Sequence, residues 1–148
     1  MKKLIAVAAV ALSAAFARAD ITWSWWMEHN LTLTDISLGL ASKCMSVGSL
    51  ELSLLYSASP VSRGVQLTVF GINDSDSDCA LQLAPWFNRG GDPCVQLGFI
   101  NAAETTTFTM GLVNVADRAC VQLGFLNFNG AGFLPFFPFV NLDPSIFK

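Results

Sequence analysis

The chain has 148 residues, with 8 Lys and Arg against 11 Asp and Glu, and is 53% hydrophobic but only 13% charged. That length suits one domain, and the lack of a basic patch argues against nucleic acid as a partner. Sparse charge with high apolar content leaves a well-filled β structure, or a chain that meets lipid or a partner with an apolar face.

Residues 1–19 read as a secretory signal peptide: Lys2 and Lys3, an apolar stretch from Leu4 to Phe16, and Ala17-Arg18-Ala19 as a cleavage signal ahead of Asp20. The apolar stretch is too short for a membrane anchor, and no cysteine follows the cleavage site to carry a lipid. Its short, Lys-led, Ala-rich form points to a bacterial source. The expected localisation is export through the secretory pathway to the periplasm, outer membrane or cell surface. Residues 20–148 then form a single all-β repeat domain, with no later stretch apolar and long enough for a transmembrane helix.

The domain begins with a crowd of tryptophans, Trp23, Trp25 and Trp26. They suit an N-terminal cap, an aromatic girdle at a lipid interface or a sugar-stacking platform. Strand-like segments then begin at Ile36, Leu50, Val65, Leu81, Val95, Phe108 and Val121, in steps of 14, 15, 16, 14, 13 and 13 residues. The last copies are nearly identical: Cys94-Val95-Gln96-Leu97-Gly98-Phe99-Ile100-Asn101 returns as Cys120-Val121-Gln122-Leu123-Gly124-Phe125-Leu126-Asn127. Serial self-similarity of this kind marks a stacked architecture. Within a unit, Val95, Leu97 and Phe99 alternate with Gln96, Gly98 and Ile100, a period of two that means strand. The apolar set, with Val121, Leu123 and Phe125, is expected to form the core, so Leu97→Asp should prevent folding. Turn-forming stretches such as 73–78, 88–93 and 101–104 separate the units.

Two all-β architectures fit. One is a β-solenoid-like stack of short 13–16-residue units; the other is an antiparallel meander or small β-barrel. Recurrence of Gln66, Gln82, Gln96 and Gln122, and of Asn88, Asn101, Asn114 and Asn127, favours the solenoid. Only stacked coils let such amides bond along ladders. The units run over about 36–127. Residues 130–148, rich in aromatics and proline, suit a C-terminal cap or a docking surface through Phe133, Phe136, Phe137 and Phe139.

The units resemble the G-V-Q-[LI]-G-L-x-N repeats of bacterial surface repeat-containing proteins, exported proteins of largely unknown function. The matching residues are Gly64-Val65-Gln66-Leu67, Cys94 to Asn101, Met110 to Ala116 and Cys120 to Asn127, with Gly132 to Asn141 similar to that family's closing segment. The resemblance implies an envelope or surface setting and carries over no catalytic residue. Cys79, Cys94 and Cys120 stand at or near places where the family has glycine.

Adjacent solenoid coils lie within disulfide reach, which makes Cys79–Cys94 the candidate disulfide. Asp74, Asp76 and Asp78 form a weak calcium candidate, lacking the glycine and closing glutamate of an EF-hand. His29 is the only imidazole and has no nucleophile motif beside it. Alternation puts Glu51 on the face opposite Leu50, Leu52 and Leu54, toward solvent. No cofactor or catalytic residue is expected. The expected function is that of a non-enzymatic exported repeat protein of the cell envelope or surface, structural or interacting, with an envelope, outer-membrane or protein partner. The alternatives are a small outer-membrane β-barrel protein and a small-ligand or carbohydrate binder.

Overall fold

The computed structural model describes the backbone of residues 21–24 and 30–147, and side chains from residue 36 onward except that of Met45. Residues 1–19, Trp25, Trp26 and His29 lie outside the described residues, and Trp23 is described in its backbone alone. The described chain is extended almost throughout. Its strands are β1 (Ile21–Ser24), β2 (Asn30–Ala58), β3 (Val61–Ser62), β4 (Val65–Thr68), β5 (Ile72–Asp74), β6 (Cys79–Leu83), β7 (Phe87–Gly90), β8 (Pro93–Leu97), β9 (Ile100–Asn129) and β10 (Phe136–Leu142). A 3₁₀ turn at Pro144–Phe147 follows.

The strands pair in parallel, β10 excepted, and like residues stack on like. Leu50 is level with Val65, Val65 with Leu81, Leu81 with Val95, and Val95 with Phe108. A second ladder sets Tyr56 level with Ile72, Ile72 with Phe87, and Phe87 with Ile100. Both ladders begin on β2 and end on β9, one through β4, β6 and β8, the other through β5 and β7. The long strands β2 and β9 each wind through more than one coil. The fold is therefore a β-solenoid, and each step in the sequence pattern is one full coil. An antiparallel meander or barrel is incompatible with this parallel register.

The solenoid is filled the opposite way from the sequence expectation. Gln66, Gln82, Gln96, Gln122, Asn73, Asn88, Asn101, Asn114 and Asn127 are all 0% exposed. Val95, Leu97, Val121 and Leu123 are only half-buried, and Phe99 and Phe125 are exposed. The strands alternate as the sequence predicts, with the amides inside and the larger apolar residues outside. Coil size explains why. A turn of 13 residues at ~3.3 Å each has a perimeter of roughly 43 Å, too short to enclose facing rows of Leu and Phe. In the coil starting at Val95, the buried positions after it are Gln96, Asn101 and Thr106. The buried apolar residues are mostly as small, among them Ala41, Ala84, Ala116 and Ala119.

Burial of amides is tolerated only when they are paired. Three of the glutamines donate toward the preceding coil: Gln66 Nε2 to Glu51 Oε2 (2.9 Å), Gln82 Nε2 to Gln66 Oε1 (2.7 Å) and Gln96 Nε2 to Gln82 Oε1 (2.7 Å), whereas Gln122 donates to Phe128 O (3.0 Å). The asparagines donate the other way, toward the following coil: Asn73 to Asn88 (3.0 Å), Asn88 to Asn101 (2.9 Å), Asn101 to Asn114 (2.8 Å) and Asn114 to Asn127 (2.7 Å), and the last, Asn127, donates to Gly124 O (2.8 Å). The two chains of amide dipoles thus run antiparallel inside one lumen. Second amide protons reach backbone carbonyls, as in Gln82 to Arg89 O (2.9 Å) and Gln96 to Ala102 O (3.0 Å).

The C-terminal end is closed by β10, which folds back antiparallel on β9, from Phe136 opposite Phe128 to Leu142 opposite Val121. A bulge lies between Phe137 and Phe139, around Pro138, and Phe139 takes a left-handed φ of 69°. A reversed strand interrupted by proline cannot template another parallel coil, so β10 blunts the open edge.

Candidate interaction surface

Seven segments, 36–42, 50–57, 65–73, 81–88, 95–101, 108–114 and 121–127, run from the first residue of a coil to its inner Asn or Ser. Every polar side chain in them is buried, and every side chain that is not buried is apolar, Tyr56 excepted. Even Glu51 is fully buried in the glutamine column. This corrects its expected solvent-facing position, for the same reason that the core was inverted. The exposed part of these segments therefore forms one apolar ribbon running along the stack. Phe70, Trp86, Met110, Leu112 and Phe125 are each more than half exposed on it.

A corner turns the middle of the ribbon. The corner positions are Gly39, Ser53, Thr68, Ala84, Gly98, Gly111 and Gly124, all small residues. A Cβ at Gly98 would overlap Ala84 O and crowd Asn88 Nδ2, and the same collision recurs at Gly111 and Gly124 with Asn101 and Asn114. Those asparagines reach across the corner to the next coil: Asn88 to Leu97 O (2.8 Å), Asn101 to Met110 O (3.0 Å) and Asn114 to Leu123 O (2.9 Å). Asn73 donates to Gln66 O (3.2 Å). The repeated Gly and Asn are thus one device. Outside, the small corners leave an apolar groove of about 580 Å³ between Leu97, Met110 and Leu123 on one wall and Phe99 and Leu112 on the other. A second groove of about 440 Å³ lies over the corner farther toward the N-terminus, between Leu38 and Leu52 on one side and Leu40, Leu54 and Val69 on the other.

The exposed charges of the coils, from Lys43 and Arg63 to Asp117 and Arg118, all fall between one ribbon segment and the next. They form a separate edge. On it Arg89 pairs with Asp74 (3.2 Å) and approaches Asp76 (3.9 Å). The guanidinium therefore takes the place that a cation would need among Asp74, Asp76 and Asp78. Among the described residues no group of three metal-binding side chains is assembled, so the calcium candidate is not supported. Burial, and then the Asp74 charge, push the Tyr56 hydroxyl up from its ordinary range.

The candidate disulfide is also corrected. Cys79 is level with Pro93 rather than Cys94. One residue of offset turns a strand side chain to the other face, so Cys79 is buried and Cys94 exposed, and both are free thiols. Burial pushes the Cys79 thiol up, while its Sγ donates to Gly64 O (3.1 Å).

Of the aromatic candidates, Phe133, Phe136, Phe137 and Phe139 are all exposed on the cap. Phe136 lies against Phe128 with ring centroids 5.0 Å apart, and Phe139 meets Phe125 edge-on at 6.0 Å. The cap therefore continues the apolar ribbon past the last coil. In the β1–β2 pairing, Trp23 is level with Leu38, at the other end of the stack. The ribbon as a whole, and its groove, were missed from sequence because its residues were assigned to the core. Comparison with protein-family models, curated proteins and solved structures finds no match to this chain.

Proposed function

We propose that this is a non-enzymatic repeat protein exported to the bacterial envelope or surface, which acts by contact through its outer face. The observation that carries the reading is the inverted distribution of side chains: the recurrent polar residues are buried and the apolar ones are presented. Scattered exposed Leu or Phe would need no explanation, but here the exposed apolar residues recur in every coil and are contiguous along the stack. Contact rather than catalysis is supported by the engagement of the repeated amides in ladders at 0% exposure, where no substrate reaches them. Export rests on the signal-like segment 1–19 and on the resemblance of the units to surface repeat-containing proteins, a membership that is part of the proposal.

The test is to express the precursor in a Gram-negative host, determine the mature N-terminus by mass spectrometry, and fractionate the cells. Cleavage after Ala19 with recovery from the periplasm, outer membrane or surface is expected. An unprocessed chain confined to the cytoplasm would sink the reading.

A further inference from the structure

We infer that the occupant of the apolar ribbon is lipid hydrocarbon, and that the solenoid lies in one leaflet of a bilayer with its axis parallel to the membrane plane. This deepens the envelope reading and rests on it for the membrane's availability. Three features select lipid. First, the ribbon turns only two hydrogen-bonding side chains outward: Trp86, whose indole carries one N–H and is of the kind that sits at membrane interfaces, and Tyr56, which lies at the margin within the influence of Asp74 and Arg89. A protein interface of comparable length would carry about one hydrogen bond per 100–200 Å²; hydrocarbon needs none. Second, the backbone of the ribbon segments is paired coil to coil, as immersion in hydrocarbon requires, and the amide ladders, with their break at Gln96, lie inside the lumen at 0% exposure, away from the lipid.

Third, the charges lie along one edge for the length of the stack, so the axis must lie in the interface for that edge to stay wet. The edge carries Lys43, Arg63, Arg89 and Arg118 against Asp74, Asp76, Asp78, Asp92, Glu104 and Asp117, an acidic excess. It offers no attraction to anionic headgroups, which leaves the hydrocarbon contact as the source of affinity. The corner groove, walled by Leu97, Met110 and Leu123 and floored by glycine, runs along the axis and suits a straight acyl chain.

The test is flotation of the purified protein with vesicles of pure phosphatidylcholine in a density gradient, at low and high salt. The protein is expected to float at both. A Leu112→Asp, Phe125→Asp variant, at positions 53% and 61% exposed, is expected to keep its β circular dichroism and melting temperature. Its partitioning should fall roughly a hundredfold per aspartate, the ratio implied by placing a carboxylate in hydrocarbon. Trp86, 61% exposed, should be quenched by doxyl-labelled acyl chains, and Trp86→Phe should remove that part of the quenching. A folded protein that stays at the bottom of the gradient would overturn the inference. So would binding that needs anionic lipid and disappears in salt, or a discrete oligomer that buries Leu112 and Phe125 and leaves vesicles untouched. Each of those outcomes leaves processing after Ala19 and cell fractionation unaffected, so failure of the lipid assignment is separable from failure of the envelope reading.

Discussion

Gln96 is level with Thr109 in the next coil, and there the glutamine ladder breaks. Gln96 Oε1 and Thr109 Oγ1 are both buried without a hydrogen-bond partner. Thr109 belongs to the one degenerate copy among the last three units, and its short side chain cannot span the ~4.8 Å between coils. Thr109→Gln should close the gap, donating to Gln96 Oε1. Satisfying a buried acceptor is worth about 1–3 kcal/mol, less up to ~2 kcal/mol for ordering a glutamine. The expected result is a melting temperature raised by a few degrees, at roughly 2–4 °C per kcal/mol. An unchanged or lowered melting temperature would mean that the column is not continuous.

The ladder's other end is Glu51. Its Oε2 accepts from Gln66, while its Oε1 is buried without a partner. A carboxylate there is desolvated with one hydrogen bond to compensate. Glu51→Gln keeps the shape and the acceptor, and adds a donor level with those of Gln66 and Gln82. Their second bonds go to Asp74 O and Arg89 O, and the corresponding carbonyl is that of Ala58. The variant should be more stable by about 1–3 kcal/mol in urea unfolding at pH 7. A loss of stability would point to a role for the carboxylate that the ladder does not explain.

Which face is inside can be tested by a contrasting pair. Gln96→Leu removes the donor to Gln82 Oε1 and Ala102 O and should cost about 1–3 kcal/mol, chiefly by leaving the buried Gln82 Oε1 unpaired. Phe125→Ser, on a residue 61% exposed, should shift stability by about 1 kcal/mol or less. The sequence expectation orders these two variants the opposite way.

The reason for that reversal marks the limit of what the residues disclosed. The steps between Leu50, Val65, Leu81, Val95 and Phe108 coincide with the structural register, since a repeat records which residues stack. The amide columns were legible for the same reason. A period of two, however, says only that Gln96 and Leu97 face opposite ways. Placing Leu97 inside assumed a lumen wide enough for it. The ladders themselves carried the contrary signal, because side-chain amide bonds specify register best where water does not compete. Cys79 and Cys94 failed differently. They precede Leu81 and Val95 by two residues and by one, a difference invisible in an approximate repeat and decisive in a strand.

The corner glycines should tolerate nothing larger. Gly111→Ala sets a methyl against Gly98 O and Asn101 Nδ2. Overpacking costs about 1–3 kcal/mol, and loss of the Asn101 bond to Met110 O adds about 1 kcal/mol. Thermal melting should fall by roughly 4–16 °C at 2–4 °C per kcal/mol. The nearer collision is with the Gly98 backbone, so the double variant Gly111→Ala, Asn101→Ser should not recover the lost stability; recovery would show that the amide rather than the backbone sets the limit.

The cysteines give a direct reading of facing and of pH. Cys94 is exposed, whereas Cys44 and Cys79 are buried, so iodoacetamide should modify Cys94 first and reach the buried pair only on unfolding. Prior loss of Cys94 reactivity without reductant would instead indicate a disulfide. Burial raises the Cys79 thiol above its ordinary value of 9.0, so the folded state disfavours the thiolate more than the unfolded chain does. Stability from this group is therefore full below pH 9 and declines as pH rises past that value, because the unfolded chain gives up the proton first. Tyr56, also raised, acts in the same direction around and above its ordinary value of 10.0. Urea unfolding at pH 7, about 9.5 and about 11 should show a midpoint that falls only above pH 9, and Cys79→Ala should flatten the early part of that fall while leaving the later part. A midpoint that falls identically in both proteins would assign the alkaline loss to other groups and place the Cys79 thiol in contact with solvent.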